Sequence, residues 1–454
     1  MSEPRAIESE RGARTFKRYP AYKDSGIEWL GEIPAHWTAV RGDLFLQYEK
    51  VQIEPADVSA QLVFHYSIPS IQAAGDGVLM APSGIDSAKL LIVGEKLLVS
   101  KLNPRKGVVL IASEKEVPTL CSTEFVPLQV RGGSELRWAL HLFLAESTRQ
   151  RLSAAVRSVT RSHQRAEIAE IVKMWHGVPP VPEQRSMAAF LDRETTRIDE
   201  LAAKKERLIE LLQEQRGALI TRAVTKGLDQ NVPMKDSGVR WLGDIPAHWE
   251  VKRLWHLTPF ERRIMYGIVL PGPNVDDGVP IVKGGDVAPE RLQLDRLSRT
   301  TREIESAYAR SRLRAGDLVY AIRGSIGEVA MVPDELAGAN LTQDAARISY
   351  TSLTHGQWLI HALRSANVFA QLEAGALGAT IRGINIRDLK RAWIPVPPAA
   401  EQRAIATFLV ERTERVDSLV SKIRDAIDRL KELRTALISA AVTGKIDVRE
   451  EAAE

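Results

Sequence analysis

Two long charged stretches of this chain carry apolar residues at 3.5-residue spacing. With Ile198 as heptad position a, the a and d series runs Ile198, Leu201, Lys205, Leu208, Leu212, Gln215, Leu219. A second series, displaced by 218 residues, runs Val416, Leu419, Ile423, Ala426, Leu430, Leu433, Leu437. The two series superpose without a slip, and this spacing makes one apolar seam on a helix. The pattern predicts helices over about 182–225 and 399–443. Pro179-Pro180 and the Pro395–Pro398 stretch precede them, and proline suits the first helical position. Glu183 and Glu401 fall in the first turn, where the helix dipole favours an acid, and Gly227 and Gly444 fall where a C-terminal stop belongs. Each helix would have about 40 residues and span roughly 60 Å. A stripe of this kind needs a partner. Antiparallel pairing of the two helices would place the intervening regions at opposite ends of one rod.

Between the heptads the pattern changes period. Apolar, β-branched runs at Leu90–Val99, Gly107–Ala112, Leu318–Ile322 and Val329–Val332 predict strands, with Gly324 and Gly327 marking a tight turn. Trp138–Val156 and Thr354–Leu372 carry helical spacing. A short block occurs twice: Lys23–Trp37 reads KDSGIEWLGEIPAHW, Lys235–Trp249 reads KDSGVRWLGDIPAHW, and all but three of fifteen positions match. Glu183-Gln184-Arg185 and Glu401-Gln402-Arg403 open the two long helices, while the sequences between these repeated pieces differ. The frame is repeated and its contents vary, as in a scaffold holding two different readers. The expected fold is mixed α/β (α+β): two globular domains joined by two long antiparallel coiled-coil helices, with a pseudo-two-fold internal repeat. Its segments are a mobile tail at 1–18, a first globule with its repeat block at 19–178, a long helix at 179–231, a second globule with its block at 232–394, a long helix at 395–447 and a tail at 448–454.

Composition narrows the class only slightly. At 454 residues each half can bury its own core. No apolar run approaches the roughly 18–20 residues of a membrane span, and the first residues lack the apolar core of an export signal, so the expected location is cytoplasmic. Cys121 is the only cysteine, which excludes an internal disulfide or a cysteine-based zinc cluster. The net charge of +4 permits nucleic-acid binding without demanding it. The two variable regions carry formal charges of only about +2 and +3, so any DNA surface must be a local patch.

No catalytic constellation is found. Gly444-Lys445 lacks the first glycine of a phosphate loop and the following Ser or Thr. No H-E-x-x-H, clustered histidines, amino-methyltransferase motif or glycine-rich cofactor loop is present, and Pro333-Asp334 has no Glu-x-Lys at nuclease spacing. Polar and basic residues punctuating turns remain. In the first region they are Lys101, Asn103 and Arg105, then Arg161, His163 and Arg165; in the second, Lys283, Arg323, Ser325, Gln343, Arg382 and Asn385. Arg and Lys on loops contact phosphates or guanine edges, Asn and Gln suit adenine, and Ser and His supply further donors. The four-residue spacing of Arg157, Arg161 and Arg165 equally fits one solvated helix face, as does the series Arg310, Arg312, Arg314. The Trp-rich block reads as core that staples the chain to its scaffold, with His36 and His248 buried or capping.

The repeated D-S-G-[IV]-x-W-L-G-x-I-P-x-H-W block, the stretch from Arg314 through Arg323-Gly-Ser-Ile-Gly to Ala330, and Gly378 through Arg382-Gly-Ile-Asn385 leading to Glu401-Gln-Arg resemble the specificity (S) subunits of type I restriction–modification enzymes. Ser100–Arg105, Cys121–Phe125 and Val178–Gln184 give the first half a looser counterpart. The resemblance implies two target recognition domains reading a bipartite, asymmetric double-stranded DNA target. It implies a helix pair that sets the spacer and docks methyltransferase (M) subunits, two of them, with restriction/translocase (R) subunits joining the complex. It implies no catalysis in this chain, no metal and no cofactor of its own, with S-adenosylmethionine, ATP and magnesium on the partners. Other readings are a specificity subunit of a related two-subunit system, a recognition chain fused to methyl transfer, and a coiled-coil scaffold without DNA affinity.

Overall fold

The heptad stretches form continuous helices, Val181–Lys226 and Ala399–Val442. Each ends on a glycine in the left-handed region, Gly227 and Gly444, where a Cβ would be strained. The computed structural model describes residues 16–156, 164–374 and 383–451. Its contacts divide the chain into two units, residues 1–205 with 425–454 and residues 206–424, so each unit holds half of each long helix.

Within each unit the two half-helices run antiparallel. In the first, Arg434 Nε lies 3.0 Å from an Asp199 carboxylate oxygen, and in the second, Arg216 Nε lies 3.3 Å from Asp417. The repeat offset carries Asp199 to Asp417 and Arg216 to Arg434, so these are one ion pair made twice.

The buried stripe departs from the sequence expectation in its d positions. Leu201, Leu208, Leu419 and Leu433 are 43% to 53% exposed and do not form the seam. The buried or half-buried residues are Ile198, Ala202, Lys205, Ile209, Leu212, Arg216 and Leu219, and their repeats Val416, Val420, Ile423, Ile427, Leu430, Arg434 and Leu437. The a series keeps its place, and the second series lies one residue further on. Leu201-Ala202, Leu208-Ile209 and Leu419-Val420 are adjacent apolar pairs, so two stripes compete. The chosen one sets small or β-branched residues inside and lets the arginine stems cover it while their heads reach the opposing aspartates.

The two variable regions share no clear sequence pattern, yet they adopt one topology. In the first unit a four-stranded antiparallel sheet has the order Val109–Ser113, Glu95–Ser100, Phe125–Val130, Leu46–Tyr48. In the second the order is Val329–Met331, Leu318–Ala321, Ala345–Ile348, Met265–Tyr266. A second sheet accompanies each, five-stranded in the first unit and three-stranded in the second, built around one parallel pair: Val63–Tyr66 with Thr119–Ser122, and Val279–Val282 with Asn340–Leu341. The apolar run expected as one strand at Leu90–Val99 is two, Lys89–Leu91 and Glu95–Ser100, in different sheets, because the chain turns at Gly94. The helical stretches also break, into Leu136–Leu144 and Glu146–Ala154, and into Gly356–Arg364 and Ala366–Ala374. Each second helix is held at its start by a long helix: Glu146 N donates to Ser439 Oγ at 3.0 Å and Ala366 N to Thr221 Oγ1 at 3.1 Å.

Each unit has its own core, with Trp37 and Trp138 fully buried in one and Trp249 and Trp358 in the other. The expected tails are packed where they are described. Val448 is fully buried, Asp447 N donates to Lys17 O at 2.8 Å, and the Phe16 ring meets Phe190 edge-on at 5.5 Å. These residues join the core because Phe16 and Val448 are the apolar members of otherwise charged ends.

Candidate nucleic-acid interface

The repeated motifs build the support before any surface is presented. Glu183 is buried and accepts three hydrogen bonds or ion-pair contacts: from Tyr19 Oη at 2.6 Å, Trp37 Nε1 at 2.9 Å and His36 Nε2 at 2.7 Å. Glu401 repeats two of them, with His248 at 2.7 Å and Trp249 Nε1 at 3.0 Å. The histidines are therefore part-exposed partners of a glutamate, neither buried nor capping. Gln184 and Gln402 each accept from the backbone N–H that precedes a globule helix, Glu135 and His355, and donate to Pro179 O and Pro397 O. The Glu-Gln pair thus fixes the repeat block and the globule to the start of the long helix. The first-turn position suggested only a dipole role for the acid; the duplication of Trp37 and Trp249 was the available signal for this one.

On that frame three segments converge in each unit. In the first they are the loop after strand 95–100, the turn before strand 125–130, and the chain at 164–166. Lys101 N donates to Glu124 O at 2.9 Å, and Ala166 N donates to Lys101 O at 2.9 Å. In the second unit Ile322 N donates to Asp344 O at 2.9 Å, and Ile384 N donates to Ile322 O at 2.9 Å. The backbone assembly is the same, and Glu124 and Asp344 occupy equivalent places.

The side chains differ. In the first unit Lys101, Asn103 and Arg105 share the loop, and Asn103 takes the left-handed conformation at φ 49°. Arg165 is brought beside this loop by an isolated bridge with Leu102. Its guanidinium makes a two-point contact with Glu124, Nε at 3.0 Å and Nη2 at 2.9 Å, which raises its pKa further and occupies that side of it. Arg161 and His163 lie outside the described residues. In the second unit Lys283, Gly284, Gly285, Arg323, Gly324, Gln343 and Asp344 line one open concavity. Gly284 permits it, since a Cβ there would sit 2.1 Å from Arg323 O. Ser325 is half-buried in the glycine turn. Asn385 spends its side-chain carbonyl on capping helix Ile386–Arg391, accepting from Arg387 N at 2.8 Å. Arg382 lies outside the described residues. Lys283 Nζ donates to Ser298 Oγ at 2.7 Å. The acids of this assembly were not among the expected residues, though the aligned Ser-Thr-Glu-Phe and Thr-Gln-Asp-Ala stretches could have pointed to them.

Cys121 is buried, and burial pushes its thiol up to about 12. Among the described residues no group of His, Cys, Asp and Glu could hold a metal ion, and no helix is long and apolar enough to cross a membrane.

Two scaffolds present variant polar loops from one backbone design, and comparison shows what the chain is similar to. Residues 274–429 match the type I restriction modification DNA specificity domain. The EcoBI type I restriction enzyme specificity subunit of Escherichia coli is 26% identical over 274 residues, 59% of this chain and 58% of that subunit. A solved structure bearing on complex assembly and conformational transition of the type I R-M system matches with a TM-score of 0.68 at 18% identity, covering 90% of this chain and 98% of its own. The HsdS subunit from Thermoanaerobacter tengcongensis matches at a TM-score of 0.51 and 17% identity, covering 91% and 98%. The matched domain and the curated relatives are those of type I restriction–modification specificity subunits, to which this chain is similar.

Proposed function

We propose that this chain reads a two-part, asymmetric double-stranded DNA sequence, each unit recognising one half-site. The observation that carries the reading is the loop assembly itself, built twice on equivalent backbones and furnished with different side chains. Lys101, Asn103 and Arg105 serve the first half-site; Lys283, Arg323 and Gln343 serve the second. The long helix pair sets the number of base pairs between the halves. Its exposed Leu201 and Leu433 in the first unit and Leu208 and Leu419 in the second offer apolar contacts to methyltransferase subunits, two of them. Restriction subunits join that complex, which works in the cytoplasm. Methyl transfer and cleavage belong to the partners, which bring S-adenosylmethionine, ATP and magnesium, while this chain has no catalytic role.

The test is a map of modified bases in the genomes of cells that express the chain with its methyltransferase partner, against cells lacking the chain. A new split motif with methyladenine in both halves is expected. An assembled complex that adds no motif would overturn the reading and favour a scaffold without DNA affinity.

A further inference from the structure

The acid at the recognition loops separates the two units. In the first, Glu124 holds the Nε/Nη2 side of the Arg165 guanidinium, which leaves that arginine only its Nη1/Nη2 end for a base. In the second, Asp344 is one methylene shorter and faces an arginine from a different loop. Arg323 Nη1 stands 3.8 Å from Asp344 Oδ1, beyond hydrogen-bond distance, and no hydrogen bond from the guanidinium is present among the described residues. Arg323 is about half exposed, and its backbone is fixed, since Arg323 N donates to Asp344 O at 3.1 Å; a Cβ at Gly383 would come within 3.2 Å of the Arg323 stem, so the glycine leaves the side chain its room. A free fork and a free carboxylate therefore stand side by side on rigid supports.

A G·C pair presents the complementary pattern in the major groove. Guanine offers two acceptors, N7 and O6, and cytosine beside it offers the N4 amino donor. A Watson–Crick hydrogen bond joins O6 to N4, so they lie about 3 Å apart. We propose that Arg323 and Asp344 read one G·C pair together, the fork on guanine and the carboxylate on the cytosine amino group. An A·T pair sets a donor against the fork and an acceptor against the carboxylate, and is refused twice. Asp344 also offsets the charge of Arg323, which disfavours a phosphate in the same concavity. Gln343 and Lys283 at the rim are left for neighbouring positions. The assignment rests on the DNA-reading function proposed above.

The experiment compares base-modification maps for wild type, Arg323→Gln and Asp344→Asn, each expressed with the methyltransferase partner. The wild-type motif should contain an invariant G·C pair in one half-site. Both variants should relax that pair alone, lowering its preference by about tenfold to a hundredfold. The other half-site, read by the first unit of the same molecule, reports folding and assembly and should keep its sequence. Unchanged motifs would overturn the assignment. So would a uniform fall in methylation without relaxation at any position, the mark of a phosphate contact. A wild-type complex with no split motif would fail earlier, sinking the DNA-reading function and this assignment with it.

Discussion

His141 and His361 occupy equivalent places in the two units, each buried on the first globule helix, yet their surroundings are opposite. In the first unit Asp192 on the long helix lies 2.8 Å from His141 Nε2 and also pairs with Arg137. The repeat offset replaces Asp192 by Val410. Neither ring nitrogen of His361 then has a partner among the described residues, and burial, with Arg364 and Arg216 nearby, pulls its pKa down to about 4. The first unit carries its own case, His176, whose Nε2 is buried without a partner among the described residues, which burial lowers to about 3 and which the second unit replaces by Ile394. Duplication has kept the slot while its chemistry changed. What the two units share is the frame: the glutamate at each helix start, the seam and the paired charges.

The frame is where the largest effect is expected. Glu183 is 6% exposed with three donors, and Glu401 is 40% exposed with two, because Asn231 stands where the repeat of Tyr19 would be. Glu183→Ala strands the Tyr19 hydroxyl and Trp37 N–H in the core and should cost about 3–5 kcal/mol. Glu401→Ala, discounted for solvent screening, should cost about 1–2 kcal/mol. Hydrogen exchange over 33–41 and 245–253 resolves the two sites. Equal losses would mean that the third donor adds nothing.

The seam is next. Ile427 is buried, while its repeat Ile209 is half-buried. Ile427→Ala should cost about 2–4 kcal/mol and Ile209→Ala about half as much, whereas Leu433→Ala, on the exposed face, should stay within about 0.5 kcal/mol. Urea unfolding measures all three. A Leu433 loss matching that of Ile427 would restore the seam that the heptad alone suggests.

His176 and His361 make each unit acid-sensitive by a separate route. A folded pKa below the ordinary 6.5 means that the unfolded chain takes the proton first. Stability is complete above about 6.5 and falls as pH drops toward 3 for His176 or 4 for His361. Installing the other unit's residue, His176→Ile, should remove this term, a relative gain of about 2 kcal/mol at pH 5 over its effect at pH 8. Val410→Asp should give His361 the partner that His141 has and flatten the second unit's profile over the same range. Parallel pH profiles for variant and wild type would show that these rings do not govern acid stability.

Much of this frame was legible in the sequence, because long helices and duplicated blocks leave periodic signals. The long helix limits were readable to within about two residues from proline, glycine and heptad. The seam was readable only in its a series, since Leu208-Ile209 and Leu419-Val420 offer two apolar stripes and only the partner helix chooses. The shared topology of the globules was hidden: strands such as Met265–Tyr266 are two residues long and carry no period. At the loops the sequence pointed to Lys101, Arg165, Arg323 and Gln343, but the acids facing the two arginines come from turns at distant positions. Whether an arginine fork is partly occupied, as at Arg165, or open, as at Arg323, depends on a separation that no spacing records.

The smallest expected effect concerns the doubled ion pair, Asp199–Arg434 and Asp417–Arg216. Each is partly exposed, so a double-mutant cycle on either should return only about 0.3–1 kcal/mol. Their placement matters more than their strength. If the two helices ran parallel in their repeat register, Asp199 would face Asp417 and Arg216 would face Arg434, like charge against like. The antiparallel arrangement turns both contacts attractive, so the pairs penalise the alternative direction as well as favouring the observed one. Reversing one pair, Arg216→Asp with Asp417→Arg, keeps that pair attractive in the antiparallel arrangement and should restore nearly all the stability lost by either single change. The same double variant would make both contacts attractive in the parallel arrangement too and so erase the discrimination. Cross-linking through cysteine pairs placed beside these four positions, one pair set for the antiparallel register and one for the parallel register, tests this with all four charges kept. If the antiparallel link dominates as fully as in the unreversed chain, the direction is set by the globules and the seam, with no contribution from these charges.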